Sequence, residues 1–391
     1  DLVIGNPPYG GKLSSSEFDY LRKKYVTAEY QIDTYPLFIE KAYYLGKQDS
    51  CFGMIIPSSW VASKYNAALR QLIASKTALK NVVITPKNTF VSATVETLIL
   101  ISVKKESKNG SFLVERWDSN EEIVYQLNQY SILNQKDYIF PVYSNSATLK
   151  LVEKIRLCSE CLSKYATAVW GVKIYQKGKG KPVQSGIEAE TKIFHGQKKT
   201  KNTHKPLLGG KEIRRYAVEW KGTYVDYGEW LAEPRTPEWF VGPRILIREV
   251  TANGIIQATI VNNEFVFSNS VDGIKLKDAK YTLNFILGIV NSKLISFYHA
   301  NTSANAFKGT FPKVLIKDSR NIPIRIINFS DSSDKAGYDR MVSLVDQMLS
   351  LHKQSASAKT DHDKIVIQRQ IDATDRQIDQ LVYELYGLTE E

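Results

Sequence analysis

Four consecutive residues, Asn6, Pro7, Pro8 and Tyr9, form the segment of this chain best suited to chemistry. An amine conjugated to an aromatic ring, as in adenine, is a poor nucleophile because its lone pair is delocalised into the ring. Two acceptors can correct that. The Asn6 side-chain oxygen can take one N–H and the Pro7 carbonyl the other, which localises the lone pair on nitrogen and directs it at an electrophilic methyl. Adjacent prolines suit the task, since fixed φ angles and missing N–H donors leave a stiff backbone with outward carbonyls. Tyr9 adds a flat face on which a base rotated out of its duplex can stack.

Such a device needs a strand end to stand on. Leu2, Val3 and Ile4 make the short apolar run expected of a strand buried on both faces of a parallel sheet. Gly5 starts the turn at its carboxyl end, where open α/β sheets bind ligands. The polar stretch 10–30 is expected to be mobile and to close over a substrate. A helix follows, capped at Asp33 or Thr34, with Pro36 in its first turn and Gly46 as its stop. The pattern then predicts a strand over 51–57 with an exit loop at 58–61, and a helix over 65–75 with Leu69, Leu72 and Ile73 on one stripe. Strands over 81–85 and 95–103 are joined through 90–94, and one more lies at 111–117. This is the second half of a doubly wound sheet ending in a hairpin.

Beyond a bridging segment the pattern changes. Short alternating strands are expected at 168–174, 223–227, 244–249 and 256–260, with turns at Asn253-Gly254 and Asp272-Gly273 and one amphipathic helix over 281–298. Two helical stripes close the chain: Tyr338, Met341, Val345, Met348 and Leu349, then Ile371, Ile378, Leu381, Val382 and Leu385. Two antiparallel helices account for both.

Net charge is +11, and it is unevenly placed. Between Lys173 and Arg215 twelve Lys and Arg face three acids, a local charge of +9 interleaved with Trp170, Tyr175, Phe194 and Tyr216. A polyanion is the expected partner, met through Lys173, Lys177, Lys179, Lys181, Lys198, Lys199, Lys201, Lys205, Arg214 and Arg215. Three cysteines argue against a disulfide framework. Cys158 and Cys161 are spaced as half a zinc site or a redox pair, with His195 and His204 as the near candidates to complete it, but 149–165 reads as helix and no metal is expected. No apolar run reaches the roughly 20 residues a membrane span needs, so a cytoplasmic protein is expected. Glu190-x-Lys192 is the E-x-K in this region, and no partnering Asp on a preceding strand supports a nuclease.

Taken with their order and spacing, Asn6-Pro-Pro-Tyr9, the helix from Tyr35 to Ala42, Gly53-Met-Ile-Ile-Pro-Ser-Ser-Trp60 and the 90–97 hairpin resemble successive motifs of TaqI-like adenine-N6 DNA methyltransferases, including type IIG restriction-modification polypeptides. Lys205 to Tyr216, Pro243 to Arg248 and Leu287 to Leu294 resemble the carboxy-terminal specificity domain of the same enzymes, a type of domain similar to the recognition modules of type I specificity subunits. The resemblance implies half of a Rossmann-like methyltransferase sheet over 1–118, a bridge over 119–156, a mixed α+β target-recognition domain over 157–328 and a helical hairpin over 329–391. It implies that Asn6 and Pro7 bind the target amine, that Tyr9 and Phe90 stack on the flipped adenine, and that Pro8 and Phe38 pack on the adenine of S-adenosylmethionine. Double-stranded DNA is the implied partner of a monomer. The family's glycine-rich cofactor loop has no counterpart here, so the chain is expected to be a piece of a longer polypeptide and inactive by itself. Two alternatives stay open: a specificity module without chemistry, and a methyltransferase of RNA or of protein glutamine.

Overall fold

A computed structural model describes residues 1–388 apart from 12, 30–32, 87–88, 91–94, 108–109, 119–122, 135, 304–305 and 307–311. The chain divides into two compact units, 1–151 and 152–391.

In the first unit the described strands are β1 (Leu2–Gly5), β2 (Cys51–Pro57), β3 (Ala78–Ile84), β4 (Thr97–Val103), β5 (Ser111–Arg116) and β6 (Ile123–Asn128), which form one mixed sheet in the order β1-β2-β4-β3-β5-β6. β1 runs parallel to β2 and β3 parallel to β5, while β4 lies antiparallel between β2 and β3. β6, from the stretch expected to be a bridge, pairs antiparallel with β5. Alternation drives β2 inward through Phe52, Met54 and Ile56, all buried. The helices are α1 (Ser15–Lys24), α2 (Thr34–Leu45) and α3 (Ala67–Lys76). α3 buries Leu69 and Ile73 of the stripe read from the sequence, leaves Leu72 half-buried and buries Ala74 as well.

Two expectations for this unit are corrected. β1 lies at the end of the strand order, and Leu2 and Ile4 are 65% and 75% exposed. An apolar run reports affinity for burial; it does not supply the layer that covers it, and no described element covers this one. The polar stretch after Gly10 is also more ordered than expected. Ser14 closes a capping box with Glu17, its hydroxyl accepting from the Glu17 amide while the Glu17 carboxylate accepts from the Ser14 amide, and this nucleates α1.

In the second unit the strands used below are β7 (Ala166–Trp170), β8 (His195–Gly196), β9 (His204–Leu208), β10 (Tyr224–Asp226), β11 (Arg244–Arg248), β12 (Ala258–Val261), β13 (Val266–Phe267) and β14 (Val271–Leu276). They form two sheets in the orders β12-β11-β14-β7 and β13-β9-β10-β8. A core of Val172, Leu207, Leu208, Val225, Leu246, Phe267 and Val271 lies among them. Asn253 and Gly254 both adopt positive φ between Ala252 and Ile255, whose backbones bond reciprocally, so that turn stands as read. Asp272-Gly273 does not: both residues lie inside β14, Asp272 opposite Trp170 and Gly273 opposite Val169. Glycine is required there because a Cβ would collide with the Phe267 ring. Ser319 donates a 2.7 Å hydrogen bond to the buried Asp272 carboxyl, whose pKa burial pushes up to about 7.

The single helix expected over 281–298 is two, α4 (Leu283–Asn291) and α5 (Lys293–Thr302). Ser292 takes extended backbone between them, and its hydroxyl accepts from the Ile295 amide, so one residue ends the first helix and caps the second. α6 (Ser332–Ser357) and α7 (Asp361–Leu385) form the closing hairpin. Met341, Val345 and Met348 on α6 and Ile371, Ile378 and Val382 on α7 are buried. At about 1.5–3 kcal/mol per buried aliphatic side chain, these stripes suffice to hold the pair.

Candidate functional site

Gly5 ends β1 and the chain turns through Asn6 to Tyr9. Pro7 is buried, Asn6 and Pro8 are exposed, and Tyr9 is half-buried. The Tyr9 hydroxyl donates to Asn6 Oδ1 at 3.0 Å, which fixes the amide with its oxygen toward the ring hydroxyl. One acceptor direction of that oxygen is thereby used and a second remains. Among the described residues no group donates to the Pro7 carbonyl. Desolvation raises the Tyr9 pKa, so the phenol stays a neutral donor.

The start of α2 holds the loop from the other side. Asp33 caps that helix, its Oδ1 accepting from the Thr34 amide at 2.7 Å and also from the Gly10 amide at 2.9 Å. The Thr34 hydroxyl donates to the Pro8 carbonyl. Gly10 has φ +73°, a left-handed turn that glycine adopts without steric cost and that lets the chain leave Tyr9 toward Asp33. The capping residue read from the sequence therefore also clamps the segment Asn6 to Gly10.

Strand register gathers the remaining pieces at one end of the sheet. β1 and β2 are parallel, so the loop after Gly5 and the loop after Pro57 leave the same end. Pro57 pairs with Thr97 and Ile84 with Leu98, which brings the connection carrying Phe90 to that end too. Phe90 is half-buried there. Residues 91–94 lie outside the described residues. Phe38 stands 49% exposed on α2 while its neighbours Leu37 and Ile39 are buried. Hydrogen bonds join Tyr9 to Asn6, and Pro8 and Gly10 to the start of α2; Phe38 and Phe90 are linked to them by position in the fold.

One residue the sequence reading passed over is Arg70. Its guanidinium, buried beneath the loop after β2, donates to the carbonyls of Trp60 at 2.8 Å, Ser63 at 2.6 Å and Asp137 at 2.8 Å. Burial lowers its pKa to about 10, so it remains charged. The signal was an arginine inside the apolar stripe of α3, between Leu69 and Ile73.

The basic segment of the second unit is less uniform than its composition. Lys201 pairs with Asp226 at 2.6 Å, Lys205 with Glu264 at 2.7 Å and Arg214 with Glu219 at 3.0 Å. Arg215 is committed to structure: it grips both Asp375 carboxylate oxygens at 2.8 and 2.6 Å and donates to the Asn291 carbonyl at 2.9 Å. Lys173 is half-buried, its backbone bridged to Glu233. Lys177, Lys179, Lys181, Lys198 and Lys199 are exposed and, among the described residues, have no ion-pair partner. Three of the aromatic residues interleaved with these cations are engaged inside the unit. Tyr216 is buried, and Tyr175 stacks on Phe194 at 5.5 Å with both packed on the core.

The cysteine pair lies beyond the helix expected to carry it. The helix expected there ends at Leu157, Ser159–Cys161 is a short strand, and Cys158 Sγ contacts the Lys154 carbonyl. His195 bonds the Tyr175 hydroxyl at 2.8 Å, and the described residues hold no group of three or more His, Cys, Asp or Glu that could bind a metal ion. Glu190 and Lys192 sit in and just after a short exposed helix, Ile187–Thr191. No described helix is long and apolar enough to cross a membrane.

Residues 1–90 match the family model of the Eco57I restriction-modification methylase, and residues 205–324 match that of the TaqI-like C-terminal specificity domain. The type II restriction enzyme and methyltransferase RM.Eco57I of Escherichia coli is 22% identical over 463 residues, covering 99% of this chain and 46% of its own. A protein of Methanocaldococcus jannaschii, provisionally assigned as a type II restriction enzyme and methyltransferase, is 28% identical over 400 residues, covering 99% of this chain and 31% of its own. The chain thus spans less than half of the length of these relatives. Among solved structures, the type IIL restriction-modification enzyme MmeI in complex with DNA aligns over 100% of this chain and 55% of its own, with a TM-score of 0.60 at 12% identity, a likeness of fold.

Proposed function

We infer, from a chain that joins an Eco57I-type restriction-modification methylase segment to a TaqI-like specificity domain and is homologous to type IIG restriction-modification enzymes, that it methylates adenine N6 at a DNA site selected by its second unit. The observation that carries this reading is the Asn6 amide, exposed at the carboxyl end of β1, steadied by Tyr9 and clamped through Pro8 and Gly10 to α2. Asn6 Oδ1 and the Pro7 carbonyl receive the two N–H groups of the target amine and localise its lone pair. Tyr9 and Phe90 offer faces to the extruded base, replacing the stacking it loses. A carboxylate base is not needed, since the proton lost after attack can pass to solvent. S-adenosylmethionine, when bound, supplies the electrophilic methyl, and Pro8 and Phe38, whose apolar faces are exposed, would hold its adenine ring.

A pure reader of DNA has no use for paired acceptors at a strand end, which favours the enzyme over a specificity module. In the second unit, Lys177, Lys179, Lys181, Lys198 and Lys199 supply the unpaired positive surface for a phosphate backbone. Reversing Lys198 and Lys199 together to glutamate is expected to weaken duplex binding at least roughly tenfold at moderate salt and to lower the slope of log K against log salt by about two. A slope equal to that of the unaltered chain would move the DNA surface elsewhere.

A further inference from the structure

A cleft of about 720 Å³ opens in the second unit, between the connection that follows β9, the carboxyl end of β11 with its hairpin, and the start of β14. Gly210, Lys211, Arg248, Asn253, Gly254 and Ser270 are among its walls, and among the described residues no carboxylate lines it. Two sides are fixed by backbone. The Gly210 amide donates to Ser270 Oγ at 2.9 Å, and the Asn253-Gly254 turn is closed by the reciprocal bonds of Ala252 and Ile255. Gly210 and Gly254 have no side chain to fill the space.

The charges in and beside this cleft are arranged for an anion. Arg248 is half-buried, and among the described residues its guanidinium has no hydrogen-bond or ion-pair partner; only its backbone amide is engaged, by the Gln257 carbonyl. Burial and the neighbouring Arg214 both depress its pKa. The nearest acid in sequence, Glu249, is occupied by Lys313 at 3.2 Å, and Arg214 by Glu219. Lys211 is exposed and likewise unpaired among the described residues. A partly desolvated guanidinium beside a second cation is unfavourable until an anion arrives. The cleft is far larger than a free inorganic anion requires, is open on one side, and lies wholly within the residues that match the specificity domain.

We propose that this cleft seats the sugar-phosphate backbone of the bound DNA, with Arg248 and Lys211 on one phosphodiester and the glycine walls admitting the deoxyribose. The proposal rests on the reading of the second unit as a DNA-specificity domain. It assigns Arg248 a positioning contact that sets the register of the protein on the duplex and leaves base discrimination to other side chains.

The test is duplex binding by the 391-residue chain across a salt series, with a fluorescent mixed-sequence duplex and a panel of defined sequences, comparing the unaltered chain with Arg248→Gln, Lys211→Gln and Arg248→Lys. Arg248→Gln and Lys211→Gln are each expected to lower affinity roughly three- to tenfold for every duplex and to reduce the salt slope by about 0.9, with thermal unfolding unchanged. Arg248→Lys, which keeps the charge, is expected to retain the slope. Affinity and slope unchanged in both glutamine variants would overturn the proposal, as would a loss confined to particular sequences, which would make Arg248 a reader of bases. An unaltered chain that binds no duplex would overturn the reading of the unit itself, a failure separable from that of the cleft.

Discussion

Methyl transfer is expected to fall by at least roughly a thousandfold in kcat when Asn6 is replaced by alanine in the full-length polypeptide, while duplex affinity changes by less than about twofold. The asymmetry follows from where Asn6 stands. In the proposed reaction its oxygen is one of the two acceptors that localise the amine lone pair, and the Pro7 carbonyl alone would hold only one N–H. Removing it also leaves the Tyr9 hydroxyl without its 3.0 Å partner, so the ring that should stack on the base loses its orientation. On the proposed reading, duplex affinity comes instead from the second unit, whose Lys177, Lys179, Lys181, Lys198 and Lys199 are exposed and unpaired among the described residues. Single-turnover methylation and equilibrium binding, measured on the same preparation, separate the two. Equal loss of both would contradict this division of labour.

Arg215→Ala is expected to destabilise the second unit by about 3 kcal/mol, read as an earlier midpoint in urea unfolding. Arg215 ties three elements together: it lies beside Tyr216 in the connection after β9, grips Asp375 on α7, and donates to the carbonyl of Asn291, the last residue of α4. Asn291 in turn exchanges two hydrogen bonds with the Ala258 backbone of β12. Deleting the guanidinium strands the Asp375 carboxylate in a site where only about a fifth of its side chain meets solvent. A loss below about 0.5 kcal/mol, typical of an ordinary surface substitution, would show that the pair is not structural. A reduced salt slope in DNA binding would return Arg215 to the interface.

Features fixed by neighbours in sequence were legible, and those fixed by neighbours in space were not. The Asp33 cap, the Gly46 stop, the α3 stripe and both closing stripes are local patterns, and each appears in the structure. The hydrogen bond from Tyr9 to Asn6 is also local, spanning three residues. Failures share the opposite cause. Asp272-Gly273 has the dipeptide of a turn, but the glycine is dictated by a ring six positions earlier that folds back over it. Leu2 to Ile4 was read as buried, although burial depends on a covering layer and β1 is an edge. The apolar run after Tyr281 concealed a break that Ser292 makes by capping the helix ahead of it. Summed charge showed the basic segment, yet Asp226, Glu264 and Asp375, which neutralise three of its cations, are 25 to 160 residues away along the chain from the groups they hold. Arg70 was overlooked because its three acceptors are carbonyls, which no sequence pattern marks.

The amine site is tested most directly by the chemical identity of the product. Full-length polypeptide, duplex DNA and methyl-labelled S-adenosylmethionine are incubated together, the DNA is digested to nucleosides, and the labelled nucleoside is identified. Label in N6-methyldeoxyadenosine is the predicted result, lost in the Asn6→Ala protein. Label on a cytosine carbon or nitrogen, or on protein with none in DNA, would contradict the account.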